Sequence, residues 1–280
     1  MRHYFTVDVE EYFQASALES AAPFATWSAR ESRLLGALEL LLALLDEFGV
    51  RGTFFVLGWV AERQPALVRR ICTAGHEVAS HGWDHRRVTA QTPQQFNDSV
   101  RRTKELLESI TGSRVLGFRA PSFSITPGHE WALDTLIETG HAYDSSLFPI
   151  RRPGYGYAAA RPEPHWIERP GGRIREFPPT TIRRFGMRLP AGGGAYFRLL
   201  PFAHTRDALK SCERRGLPGT FYIHPWELDP AQPRLDVTLP TRIRHYGGLG
   251  RTALRLRRLL HEFRFEPIAD GFESPIAVAG

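Results

Sequence analysis

The stretch "SHGWDH" sets His81 and His85 four residues apart, a spacing that lets two imidazoles face one ion across a helical turn or a tight loop. Upstream, "HYFTVDVE" carries Asp8 and Glu10. A strand alternates its side chains, so these acids share one side while Val7 and Val9 take the other. Two acids at a strand end are either solvated at a rim or neutralised by a cation, because burying them bare costs too much. Two histidines and an acid together form a ligand set that leaves positions for water and substrate, as catalytic sites do and closed structural sites do not. Such donors suit one divalent ion, zinc first, with cobalt, nickel or iron as alternatives. Three further groups fall in suggestive places: Arg119 in "GFRAPSFS", Asp144 in "YDSSLF" and His224 in "FYIHPWE". A lone histidine in an apolar strand is ordinarily a hydrogen-bonded core residue. At a strand end, beside a metal-like set, His224 becomes a candidate site residue.

The surrounding pattern explains how such residues could meet. "HYFTVDV" (3–9), "GTFFVLG" (52–58), "HEVAS" (76–80), "RVLGF" (114–118) and "HAYDSS" (141–146) read as strands. Between them lie helical segments: 32–48, stopped by Gly49; a helix opened by Pro65 and closed by Gly75; one with Thr92 as cap, Pro93 first, Gln95 at the capping-box position and Gly112 after it; and one from Thr126–Pro127 to Gly140. This alternation predicts a parallel sheet, open or closed into a barrel. The chemically interesting residues follow strands, where parallel folds place their sites. Residues 151–195 are rich in proline and glycine and read as an irregular excursion with one strand, "RIREF" (173–177). Regularity returns with a helix capped by Thr205, a strand "GTFYIHPWEL" (219–228), a helix near 249–263 and a strand "FRFEPI" (263–268). Residues 1–280 are expected to form a single domain, with 228–280 completing it.

Composition narrows the function. The 280 residues carry a net charge of +6, almost all of it arginine, since lysine occurs only at Lys104 and Lys210. The arginines are scattered rather than gathered in a patch, so no nucleic-acid partner is expected. The chain begins with acids where a leader would be apolar, and no run has the apolar length of a membrane span; no transmembrane segment and a cytoplasmic location are expected.

Taken in order, "TVDVE", "EVASHGWDH", "FRAPSFS", "YDSS" and "YIHPWE" resemble the five motifs of the polysaccharide deacetylases, carbohydrate esterase family 4. The likeness spans about residues 6–227. It implies an α/β fold, a distorted (β/α) barrel of about seven strands, and a metal-dependent enzyme that removes acetyl groups from N-acetylated glycans. Residue by residue it implies Asp8 as general base, His81 and His85 as metal ligands, His224 as general acid and Arg119 as the group orienting the base. Asp144 falls where the family keeps an acid that tunes the catalytic histidine. Pro121 and the following backbone, at Ser122, fall where the family supplies an oxyanion donor. The family mostly has adjacent aspartates in its first motif; here Val9 separates the acids and the second is Glu10, which strand alternation makes the third ligand. Trp83, Phe123, Tyr196, Phe197 and Trp226 offer flat faces for pyranose rings, of which two or three should line the cleft. The second half ("EFPPTT", "GGGAYFRLLP") resembles the branch found beside exosortase and exopolysaccharide genes. That likeness implies a role in exopolysaccharide biosynthesis and association with a membrane-bound polysaccharide synthesis machinery. Hydrolysis of a small amide or cyclic imide on the same barrel, and carbohydrate binding without turnover, are the competing expectations.

Overall fold

The computed structural model describes residues 1–152 and 154–272; the last eight residues of the expected C-terminal completion, 273–280, lie outside the described residues. Its strands are β1 (His3–Val9), β2 (Thr53–Val56), β3 (Glu77–Ser80), β4 (Gly117–Phe118), β5 (Tyr143–Asp144), β6 (His165–Arg169), β7 (Gly172–Glu176), β8 (Thr181–Arg184), β9 (Met187–Pro190), β10 (Thr220–Ile223) and β11 (Phe265–Glu266). The helices are α1 (Leu34–Glu47), α2 (Gly58–Arg63), α3 (Pro65–Thr73), α4 (Pro93–Thr111), α5 (Trp131–Glu138), α6 (Gly194–Leu199), α7 (Phe202–Arg214), α8 (Leu239–Tyr246), α9 (Thr252–Glu262) and α10 (Ile268–Phe272).

A nine-stranded sheet runs β10-β1-β2-β3-β4-β5-β7-β6, with β11 added beside the start of β1. The strands from β10 to β7 are parallel, and β6 joins antiparallel at the edge. Eight of the nine strands are therefore parallel, seven along the path from β10 to β7 and β11 beside β1, and both halves of the chain contribute to the curled sheet. The sheet curls far enough for non-neighbours to touch: the Tyr4 ring on β1 meets Phe177, just past β7, edge-on at 5.1 Å.

Alternation along β1 sorts its residues between two environments. Phe5, Val7 and Val9 join the large apolar core under the helices, with Leu38, Leu41 and Leu45 of α1. Tyr4 points into the curl, where it packs with Phe55, Ala79, Tyr143, Phe177 and Ile268. Above this apolar plug, on the same inward side, stand Thr6 and Asp8, both bonded to Arg119. The inside of the curl is thus apolar at one end and polar at the other, the carboxyl end of the strands.

Several boundaries differ from the sequence expectation. The Thr92–Gln95 capping box and the left-handed Gly112 stop are present as expected, but α5 begins only at Trp131 and α7 begins at Phe202 rather than being capped by Thr205. Residues 151–195 are more regular than their composition suggests, holding the hairpins β6–β7 and β8–β9. The expected strand 219–228 stops at Ile223, and residues 225–228 form a 3-10 turn opened by Pro225. Proline cannot donate to a ladder and is pre-set for a helical first position, so the strand ends where His224 emerges.

Candidate active site

Glu10, just beyond β1, meets His81 and His85, just beyond β3, so that one donor atom from each lies within 4.8 Å of the others. All three side chains are buried or nearly so. The His81 Nδ1–H donates to the Arg119 carbonyl at 2.7 Å, which leaves Nε2 as the free lone pair. Burial, with His85 alongside, lowers His81 to about 4 despite the nearby acids, so it stands as a neutral donor. Burial would raise the Glu10 carboxyl, but His85 and His224 outweigh it and hold it well below the usual carboxylate range. Glu10 Oε2 is 2.9 Å from His85 Nε2, yet it accepts no hydrogen bond from any described group. Two donor atoms in contact without a hydrogen bond between them, one on a buried anion, are what a shared cation would satisfy. The ligand set expected from the sequence therefore fits a divalent ion.

Asp8 and His224 flank this cluster. Asp8 Oδ1 accepts from Arg119 at 2.7 Å, while Oδ2 lies 3.8 Å from His224 Nε2 and faces the cleft. Arg119 is fully buried and held from every side: by Thr6, by the Ser145 carbonyl and hydroxyl, and by the Phe55 ring 4.2 Å beneath its guanidinium. Asp8 is thereby fixed in place with one oxygen left available.

The partner of His224 is a residue that sequence reasoning missed. Glu227 Oε1 lies 2.7 Å from His224 Nδ1 and also accepts from the His224 backbone N–H; its other oxygen pairs with the buried Arg198 at 2.5 Å. The signal was present in "HPWE": a cap residue, proline, and an acid three positions on is a capping-box pattern, and it folds the acid back onto the histidine. Burial alone would raise Glu227, but Arg198 and His224 hold it at about 2. Burial would likewise lower His224, yet Glu10, Glu227 and Asp8 together raise it to about 9.

This arrangement corrects the expectation for Asp144. Its carboxylate bonds to Ser146 and sits beside Glu176, its register partner on β7, with no hydrogen bond to His224. Both acids are buried; burial raises Asp144, and burial, then the Asp144 charge, pushes Glu176 well above its usual range. The reason is alternation along a very short β5: Tyr143 points into the curl, so Asp144 turns to the opposite, helix-facing side, level with Phe118 of the second apolar cluster.

A cleft open to solvent lies beside these groups. Ser122, Phe123, Tyr196 and Trp226 border it as expected, together with Ser16, Tyr155 and Tyr222, which the sequence did not single out. Ser122 and Phe123 both have left-handed φ values, 56° and 54°. That costly conformation is held by Ser16 Oγ, 2.6 Å from Ser122 Oγ. Pro121 is buried beneath and sets the turn without reaching the cleft. Trp226 does not offer a stacking face, because His224 covers one side at 5.1 Å and His245 the other at 4.3 Å. Its indole N–H instead reaches Glu10 at 3.2 Å. Trp83 turns away from the cleft, with Arg102 stacked 3.3 Å from its ring. Phe197 is buried against Phe221. Phe123 and Tyr196 remain as the expected rings, joined by Tyr155, whose hydroxyl meets that of Tyr196 at 3.1 Å.

A curled parallel sheet with this site at its carboxyl end defines a class, and the comparisons agree with it. Residues 36–136 match the polysaccharide deacetylase family model, and residues 145–273 match a domain of unknown function (DUF3473). Residues 36–136 thus carry a polysaccharide deacetylase domain. It is 38% identical over 109 residues to the peptidoglycan deacetylase-like protein FGM2 of Gibberella zeae, covering 38% of this chain and 31% of that one. It is 32% identical over 104 residues to the peptidoglycan-N-acetylglucosamine deacetylase PgdA of Listeria monocytogenes, covering 34% and 22%. The alignments thus span about a third or less of these relatives. Among solved structures, a putative polysaccharide deacetylase from Mycobacterium smegmatis superposes with a TM-score of 0.67 at 22% identity, covering 97% of this chain and 88% of that one. Puue allantoinase gives 0.62 at 17% identity with the same coverages. A pseudoenzyme of the family from Bacillus anthracis gives 0.52 at 14%, covering 97% and 65%. The fold thus accommodates more than one activity, and the site must decide among them.

Proposed function

We propose that this protein is a metal-dependent hydrolase that removes N-acetyl groups from an amino-sugar polymer or oligosaccharide. The observation that carries this is the convergence of Asp8, the Glu10–His81–His85 cluster and His224 on one open cleft. Glu10, His81 and His85 would hold the ion, zinc by preference; when bound it would polarise the acetamide carbonyl and acidify a water.

The protein's own groups account for the proton movements. Asp8, through its free oxygen, takes a proton from the water that adds to the carbonyl carbon, while Arg119 keeps that carboxylate aimed. The Ser122 backbone N–H, presented by the left-handed turn, is a donor for the developing oxyanion. As the C–N bond breaks, His224 Nε2 gives its proton to the leaving nitrogen, and Glu227 holds the ring through Nδ1. Acetate and a free amino sugar result. An open cleft with aromatic walls favours a glycan over a small amide or imide. Phe123, Tyr155 and Tyr196 supply its aromatic lining. A role in exopolysaccharide biosynthesis, beside a membrane-bound machinery, rests on the likeness of the second half to that branch. No helix among the described residues is long and apolar enough to cross a membrane.

Acetate release from N-acetylglucosamine oligomers by zinc-loaded protein is the direct test. Asp8→Asn should lower kcat by about 10²–10⁴-fold with the metal content, read by elemental analysis, unchanged. A fully active Asp8→Asn protein would overturn the assignment.

A further inference from the structure

The cleft carries positive charge that the hydrolysis above does not use. Its acidic lining consists of Asp8 and Glu10 among the described residues. Asp8 is paired with Arg119, and Glu10 faces His81, His85 and His224. Arg198, also in the lining, is neutralised by Glu227. Arg87 and Arg244 remain. Neither guanidinium makes a hydrogen bond or an ion pair with any described residue, whereas those of Arg119 and Arg198 are fully engaged. Arg87 is half-buried, and its Nε is buried with no hydrogen-bond partner among the described residues, an arrangement that is unfavourable unless something outside the chain accepts that hydrogen bond.

Their placement is built rather than incidental. Arg87 follows the ligand His85 by two residues and lies against Gly154. Arg244 sits on α8 about one ring-width from Tyr155, its guanidinium 6.0 Å from the ring centre. Its backbone carbonyl is tied down by Arg198, the same residue that fixes Glu227. The two cations therefore flank the segment carrying Gly154 and Tyr155, and Tyr155 reaches Tyr196 on the neighbouring wall. A fork of donors beside an aromatic lining is the chemistry that recognises a sugar bearing a planar or tetrahedral anion.

We propose that the substrate is an anionic glycan, with Arg87 and Arg244 gripping a carboxylate or phosphate carried on the same chain as the N-acetyl group. This rests on the deacetylase function above and names its substrate class. A neutral polymer would leave both guanidiniums without a counter-ion in the bound state, whereas an acidic one supplies the partner that the protein withholds.

The test compares three probes of equal length: a neutral N-acetylglucosamine tetramer, a tetramer alternating N-acetylglucosamine with glucuronic acid, and the neutral tetramer carrying a phosphate at its reducing end. Dissociation constants are measured by calorimetry on zinc-loaded Asp8→Asn protein, and acetate release on the wild type. An acidic probe should bind about tenfold more tightly than the neutral one at low salt, with the gap closing at high salt. Whichever acidic arm gains identifies the source of the anion. In Arg87→Gln/Arg244→Gln protein, verified as folded by its melting curve, the preference should collapse towards unity. Equal or tighter binding of the neutral tetramer, with acetate released, would overturn the anionic class and leave the deacetylase function standing. Failure of all three probes both to bind and to release acetate would overturn both.

Discussion

Each ionisable side chain at the site has its role limited by what occupies its other atoms. Arg119 takes one oxygen of Asp8 and leaves the second; the Arg119 carbonyl takes Nδ1 of His81 and leaves Nε2; Glu227 takes Nδ1 of His224 and leaves Nε2 towards Asp8 and Glu10. Glu227 is a positioning residue, since it acts through His224. Glu227→Gln removes the charge that steadies the imidazole and leaves Arg198 buried without its counter-ion. The expected result is a fall in kcat of about 10²-fold with KM little changed, and a loss of about 3–5 kcal/mol in stability. The Glu227→Gln/Arg198→Met pair should recover part of the stability but none of the kcat. Recovery of both together would reduce Glu227 to a structural role.

The secondary-structure elements deliver these groups through their ends. β1, β3 and β10 stop at Val9, Ser80 and Ile223, and the next residues are Glu10, His81 and His224 of the proposed site, with Asp8 one residue before the end of β1. One wall of the cleft comes from elsewhere: the glycine run before α6 presses against β10, with Tyr222 donating to the Gly192 carbonyl at 2.7 Å. Gly193 makes that approach possible. Its φ is 147°, and a Cβ there would stand 1.8 Å from the Tyr222 carbonyl oxygen. Gly193→Ala should therefore lose about 2–4 kcal/mol of stability, or fail to fold. Gly171→Ala, in the β6–β7 turn with open space around it, should melt within about half a kcal/mol of wild type. Equal melting temperatures for the two variants would show that the wall does not depend on this contact.

For the molecule as a whole, an ion held by Glu10, His81 and His85 would couple folding to metal binding. An ion that binds the folded site and not the unfolded chain adds about 4 kcal/mol at a thousandfold excess over its Kd, which in a chain of this length raises the melting temperature by roughly 8 °C. Scanning calorimetry with chelator and with zinc should show that difference in the wild type and none in His81→Ala. An identical wild-type melt under both conditions would remove the metal from the proposed function.

Much of this was legible in the residues themselves. Alternation placed Asp8 and Glu10 on one side, caps and breakers bounded α3 and α4, and the order of strand and helix required a parallel sheet whose carboxyl ends hold the site. Those are local rules, each settled by a few neighbouring residues. What escaped depends on contacts far apart in the chain or on the exact turn of a short element. The two-residue strand β5 has too little pattern to show which way Asp144 faces. The burial of both faces of Trp226 depends on His245, nineteen positions later. The pairing of Arg198 with Glu227, and the lack of a hydrogen-bonding or ionic partner for Arg87 and Arg244 among the described residues, exist only once the curl brings separate segments to one opening. Sequence alone determined which chemistry the chain could perform; the tertiary structure decided which residues are left free to perform it, because a side chain's availability is set by everything packed around it.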